Sequence, residues 1–155
     1  MWGICASIRR GEPSNSCASP WETPHAVCLV DDWAALPDEL FPAGVEKSLS
    51  TLRIDLPGPF FETHPAFPEK TNVEFASVTD EGIAMRVWER GCGETLACGT
   101  GACATNTAAC LTGRAGREND LLLSGGLLRI CWNEDGTISM TGPATESFSG
   151  TIVLP

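Results

Sequence analysis

From Asn72 to Val78 the chain alternates, with Val73, Phe75 and Ser77 on one side and Asn72, Glu74 and Ala76 on the other. A period of two is that of a strand. Beyond the turn residues Asp80-Glu81-Gly82, Ile83, Met85 and Val87 oppose Ala84, Arg86 and Trp88, which predicts the returning strand of a hairpin. Upstream, the apolar run Ala26 to Val30, closed by Asp31-Asp32, predicts a short buried strand. Trp33 to Leu40 has helical spacing behind an Asp cap, and Pro37 and Pro42 keep that helix short. Leu56 to Pro68, with four prolines and a pair of phenylalanines, predicts a turn-rich connection holding one helical turn near Phe60 to Thr63.

The second half changes character. Gly91, Gly93, Gly99 and Gly101 lead into Ala102 to Leu111, whose small side chains all round predict a helix packed closely against its surroundings. Gly113 is a suitable stop for it. Leu121 to Ser124, Leu127 to Trp132 and Thr137 to Thr141, separated by Gly125-Gly126 and Glu134-Asp135-Gly136, predict strands joined by tight turns, and Phe148 to Val153 a last strand. Residues 1–22 have no clear period and form an unassigned lead-in; residues 23–155 make one domain. The expected class is α+β, an antiparallel sheet curled around one central apolar helix.

Composition narrows the function. A length of 155 residues with 43% hydrophobic side chains suffices for a real core and excludes intrinsic disorder. Ten basic against twenty acidic residues give a net charge of −10 with no basic patch, so no nucleic-acid partner is expected. No apolar run approaches the roughly 18–20 residues of a bilayer span, so no membrane partner is expected either. Eight cysteines could signal a secreted disulfide framework, but the stretch Trp2 to Ile8 precedes the pair Arg9-Arg10, the reverse of a signal peptide's order. A cytoplasmic chain with reduced thiols is the expectation. No C-x-x-C pair occurs, and the spacing of Cys92, Cys98 and Cys103 fits neither zinc nor an iron–sulfur cluster, so no metal is expected.

A helix that begins at a glycine-rich turn aims unpaired N–H groups and the positive end of its dipole at one point. Cys98-Gly99-Thr100-Gly101 occupies that point, and a thiol there is expected to have a lowered pKa, the condition for a nucleophile or base. The alternative for Cys98 is a buried structural cysteine; for Cys103 and Cys110, seven apart on one helix face, the structural reading is favoured. Gly99 to Ala104 also fits the dinucleotide pattern G-x-G-x-x-A. Its context fails, because the eight residues Arg90 to Ala97 separate the preceding strand from Cys98-Gly99 and Asp120 opens the following strand rather than closing it.

The run from Arg86 to Ala104, R-V-W-E-R-G-C-G-E-T-L-A-C-G-T-G-A-C-A, is flanked by Pro24-His25, by His64 to Phe75 and by Met140-Thr141-Gly142-Pro143-Ala144. Together these closely resemble the second-cysteine domain of the diaminopimelate epimerase family over about residues 24 to 153. The resemblance implies an isomerase of lysine biosynthesis that interconverts LL- and meso-diaminopimelate with two thiols and no cofactor, pyridoxal phosphate included. It implies that Cys98 is one catalytic thiol, that Gly99 and Thr100 hold the substrate carboxylate, and that Glu89, Arg90 and Asn72 bind substrate. Glu89 and His25 would tune the thiol. Singly, Glu89 and Arg90 could be an exposed ion pair, Asn72 a turn cap and His25 a loop histidine; their occurrence in family order favours the functional reading.

The family enzyme is about twice this length, with its first catalytic cysteine in an N-terminal domain of similar fold. Cys5, Cys17 and Cys28 lack the Asn and Gly neighbours of that motif, and Thr23 stands where the family has Asn before Pro-His. The expectation is a half-enzyme presenting one wall of the site, as a fragment, a truncated product or one component of a split enzyme. Its partners would be the substrate and a second copy or a separate N-terminal half. The competing reading is a catalytically inactive orphan domain, a binding or oligomerisation module.

Overall fold

The computed structural model describes residues 5–8 and 23–153. Among them, eight strands form one sheet: β1 (Cys5–Ile8), β2 (His25–Leu29), β3 (Asn72–Thr79), β4 (Gly82–Glu89), β5 (Gly93–Thr95), β6 (Glu118–Leu123), β7 (Gly126–Trp132) and β8 (Ile138–Thr141). Their order is β1-β2-β3-β4-β6-β7-β8, with β5 paired to β4. Two helices accompany them, α1 (Pro57–Glu62) and α2 (Gly99–Leu111). In the stretch read as an unassigned lead-in, Cys5–Ile8 pairs antiparallel with β2, Cys5 opposite Cys28.

The sheet is mixed, which corrects the antiparallel expectation. β2 runs parallel to β3, with His25 opposite Asn72, and β4 runs parallel to β6. Parallel neighbours cannot be joined by a hairpin turn, so their pairing leaves no local signature in the sequence. One crossover is the long connection from Val30 to Thr71 and the other carries α2. Where tight turns were legible the antiparallel pairing follows, as in β3–β4, with Thr79 opposite Gly82, and in β6–β7–β8.

Both faces of the sheet are covered where β2, β3 and β4 lie. On one face Val27 and Leu29 of β2, Ala76 of β3, and Ile83, Met85 and Val87 of β4 join Leu121, Ile130 and the α2 residues Ala102, Cys103, Ala104, Ala108 and Ala109 in one cluster. On the other, Cys28, Val30, Val73 and Phe75 meet Leu40, Phe41, Leu52 and Ile54 from the β2–β3 crossover. The alternation that predicts β3 therefore separates two cores, not core from solvent. Buried Asn106 is matched to the fold: its amide donates to the Arg117 carbonyl at 3.0 Å and accepts from Asn119 at 2.7 Å, tying α2 to the start of β6.

Two further expectations change. Trp33 to Leu40 is not one helix but two single 3-10 turns, Trp33–Ala35 and Asp38–Leu40. Asp32 does cap the first through the Ala34 N–H at 2.9 Å, but Leu36, preceding Pro37, is extended (φ −78°, ψ 156°), as the proline ring requires. Phe148 to Val153 forms no strand; Phe148 is 87% exposed and Val153 90%, with no ladder to join. The helix behind the glycine-rich turn starts at Gly99, three residues before Ala102.

Candidate functional site

Strand alternation brings the site together before any side-chain contact is considered. Positions that share a face with Val27, Ala76 and Val87 are His25 at the start of β2, Asn72 and Glu74 in β3, and Glu89 at the end of β4. That is the α2 face, and the N-terminus of α2 lies over these strand ends with Cys98 as its N-cap residue.

Cys98 has extended backbone (φ −135°, ψ 107°), and its carbonyl accepts the Ala102 N–H at 2.9 Å, the first bond of the helix. Its Sγ lies 3.8 Å from Asn72 Nδ2, which donates to it, and 3.5 Å from Thr100 Oγ1. The thiol is buried, 8% exposed. Burial pushes its pKa up; hydrogen bonds from Thr100 and the Gly101 N–H oppose that, and the charges of Glu89 and Glu74 add to it. This corrects the expectation of a lowered pKa: desolvation of the thiolate outweighs the helix N–H groups.

The Asn72 amide is a bridge, for its Oδ1 accepts the Arg90 N–H at 2.9 Å while its Nδ2 faces the sulfur. Asn72 is buried at the first position of β3, not at a turn. Arg90 extends away, its guanidinium donating to the Glu69 carbonyl at 3.0 Å. No ion pair joins Glu89 to Arg90 among the described residues; Glu89 instead accepts from the Thr95 hydroxyl of β5. His25 is 1% exposed in β2, with Nδ1 2.7 Å from Glu74 Oε1. Gly99 and Thr100 are the first two residues of α2, whose N–H groups the helix itself leaves unbonded. Met140 of β8 covers this start: a Cβ on Gly99 would lie 3.1 Å from its Sδ.

Sequence reasoning missed Glu74. The signal was its place two residues after Asn72, on the same side of a strand whose opposite side opens with Val73 and Phe75. Gly101 was read only as part of the turn, yet a Cβ there would stand 2.7 Å from Glu74 Oε1 and 3.3 Å from Cys98 Sγ. Gly101→Ala is therefore expected to lose about 1–3 kcal/mol through overpacking. Urea unfolding checks it, and a loss below about 0.5 kcal/mol would show that the carboxyl can retreat.

Cys103 lies in the core beside this group and is pushed up to about 11, chiefly by burial, whereas Cys110 is half-buried near the end of α2. The six cysteines whose side chains are described are all unbridged. Among the described residues no cluster of three or more His, Cys, Asp or Glu side chains could hold a metal ion, and no helix is long and apolar enough to cross a membrane.

These features define an α+β fold, a mixed sheet with few helices, with a buried thiol at the start of α2 beside the strand-end amide of Asn72. The sequence profile of the family described as Diaminopimelate epimerase matches residues 22–146, and the chain belongs to that family. It is 47% identical over 143 residues to a diaminopimelate epimerase of Synechococcus elongatus, covering 87% of this chain and 45% of that protein. A diaminopimelate epimerase of Methanococcus maripaludis is 60% identical over 97 residues, 61% of this chain and 35% of the relative. The chain thus spans less than half the length of these relatives. A solved phenazine biosynthesis PhzC/PhzF protein of Clostridium difficile aligns with a TM-score of 0.48 at 16% identity, over 72% of this chain and 35% of its own.

Proposed function

We propose that this chain forms one wall of a cofactor-independent epimerase site that interconverts LL- and meso-diaminopimelate, with Cys98 as one of its two proton-transferring thiols. The observation that carries the reading is the placement of Cys98 at the α2 N-cap with its sulfur between Asn72 and Thr100. An α-proton of an amino acid is weakly acidic, so its removal calls for a base in a site of aimed dipoles and little water. In one direction the Cys98 thiolate takes the α-proton, leaving a carbanion, and a second thiol on the opposite face of the α-carbon delivers a proton and inverts the centre. In the other direction the roles exchange.

The first N–H groups of α2, at Gly99 and Thr100, suit the substrate carboxylate. Glu89 and Arg90 suit the charged groups of the amino acid, with Asn72 joining the turn that carries them to the thiol. Glu89 and His25 would tune Cys98, Glu89 by its charge and His25 through Glu74. Contributions to one cluster from β2, β3, β4, β6, β7 and α2 support a sheet curled around that helix. Free thiols suit a reducing compartment, which supports a cytoplasmic location.

A site whose second wall, with the second thiol, comes from an N-terminal half or another copy fits a chain that spans less than half the length of its relatives. The alternative, an inactive binding or oligomerisation module, draws on Leu96 and Met140, 71% and 53% exposed at the approaches to Cys98.

The test is α-proton exchange of diaminopimelate in D2O, followed by NMR. Exchange that falls at least about 100-fold in Cys98→Ser supports the reading, and LL/meso interconversion is expected only when the second wall is supplied. A folded chain that exchanges nothing alone or with that complement, and elutes as a stable homodimer, favours the module.

A further inference from the structure

Glu74 is an expensive residue for its position. It is fully buried in β3, a strand with neighbours on both sides and cores on both faces. Its Oε1 lies 2.7 Å from His25 Nδ1, within hydrogen-bond distance, while its Oε2 has no hydrogen-bond partner among the described residues. A buried carboxyl oxygen without a partner costs free energy that an apolar side chain would not. The carboxyl also takes up the room a side chain at Gly101 would need, and the sulfur of Cys98 borders the same room. Three observations thus converge on one group: the bond to His25, the orphaned oxygen and the bare glycine above it.

We propose that Glu74 is a positioning residue of the Cys98 site, fixing His25 in one ring orientation with its proton on Nδ1 and holding a carboxyl beneath the first turn of α2, beside the thiol. The groups facing Cys98 are Glu74 from β3, Glu89 from β4, Asn72 from β3 and, within α2, Thr100 and Cys103; His25 of β2 stands behind Glu74. The two carboxylates both disfavour the thiolate, and burial in turn raises Glu74 while His25 opposes that rise. Removing the Glu74 charge should therefore ease ionisation of Cys98.

Glu74→Gln keeps the size and an acceptor oxygen for Nδ1–H but loses the charge; Glu74→Leu loses both. In the full chain, alkylation of Cys98 by iodoacetamide, read on its own peptide by mass spectrometry, should follow a pH profile shifted to lower pH in Glu74→Gln. At about pH 8 the reaction should be at least about threefold faster than in the parent. The nitrogen-15 spectrum of His25, told from His64, the one other histidine, by a His64→Gln background, should show the Nδ1–H tautomer in the parent and in Glu74→Gln, and lose it in Glu74→Leu. A Cys98 profile in folded Glu74→Gln that superimposes on the parent's overturns the proposal, as does a parent His25 protonated on Nε2 alone. Both hold even if the leucine variant does not fold. The inference rests on Cys98 being the reacting thiol, but neither readout needs turnover, so its failure is distinguishable from absent α-proton exchange.

Discussion

Phe75→Ala is expected to lower the unfolding free energy by about 3–5 kcal/mol, the range for deleting a buried aromatic side chain and leaving a cavity. Phe75 is 1% exposed, in a strand with partners on both sides, and its ring meets that of Phe61 at 6.5 Å between centroids. It stands in the second core, between the sheet and the crossover carrying Leu40, Phe41, Leu52 and Ile54. Strand pairing cannot relax toward the gap without breaking two ladders, so little of the cavity should close. Domains of this size have about 5–15 kcal/mol to lose, so the variant should be partly unfolded at moderate temperature. Urea unfolding against the parent measures the loss, and a value under about 1 kcal/mol would mean that this face is not a packed core.

The second large effect belongs to Glu62, a carboxylate at the end of α1 that is 7% exposed. Oε2 accepts from Trp88 Nε1 at 2.8 Å; Oε1 accepts from the Gly91 N–H at 3.1 Å and from Lys70 at 3.2 Å. Glu62→Ala takes the acceptor from the half-buried Trp88 indole N–H and from the Gly91 N–H together, and leaves a gap where its own buried side chain stood, for an expected loss of about 2–4 kcal/mol. Led by the Trp88 bond, these donors hold its pKa below the model-compound value of 4.5. A carboxyl with a depressed folded pKa lends stability in full above its unfolded pKa and loses it as pH falls through the folded one. The parent should therefore lose stability more steeply than Glu62→Gln on going from about pH 5 to about pH 3, as urea midpoints across that window would record. Parallel slopes would remove Glu62 from the acid response. Because Gly91 directly follows Glu89 and Arg90, the same substitution should loosen the turn that presents them.

What could be read beforehand follows from how far each signal reaches along the chain. The β3–β4 hairpin was legible because its alternation and turn are contiguous, and α2 because a run of alanines behind glycines has one sensible environment. The meeting of His25 with Asn72 was not, since a parallel pairing across the Val30 to Thr71 crossover has no local mark. Of the candidate site, Cys98, Asn72, Glu89 and Arg90 were singled out through a contiguous motif and its flanks. Glu74 was hidden by its type: a carboxylate in an alternating strand reads as the solvent side, and only the burial of both faces makes it a core residue. The direction of the Cys98 pKa was likewise hidden, because the helix start is visible in sequence and the depth at which it is buried is not.

Eight of the thirteen residues of α2 are buried, most of them alanine, cysteine or glycine that bring its backbone close to the strands beneath. The amides of its buried middle, Cys103 to Ala109, are expected to exchange with deuterium only when the packing against the sheet is lost. The thiol at its head therefore sits at the end of an element packed against the strands. Movement that uncovers the thiol would then come from what lies over that end of the helix, such as Met140, and not from α2 itself.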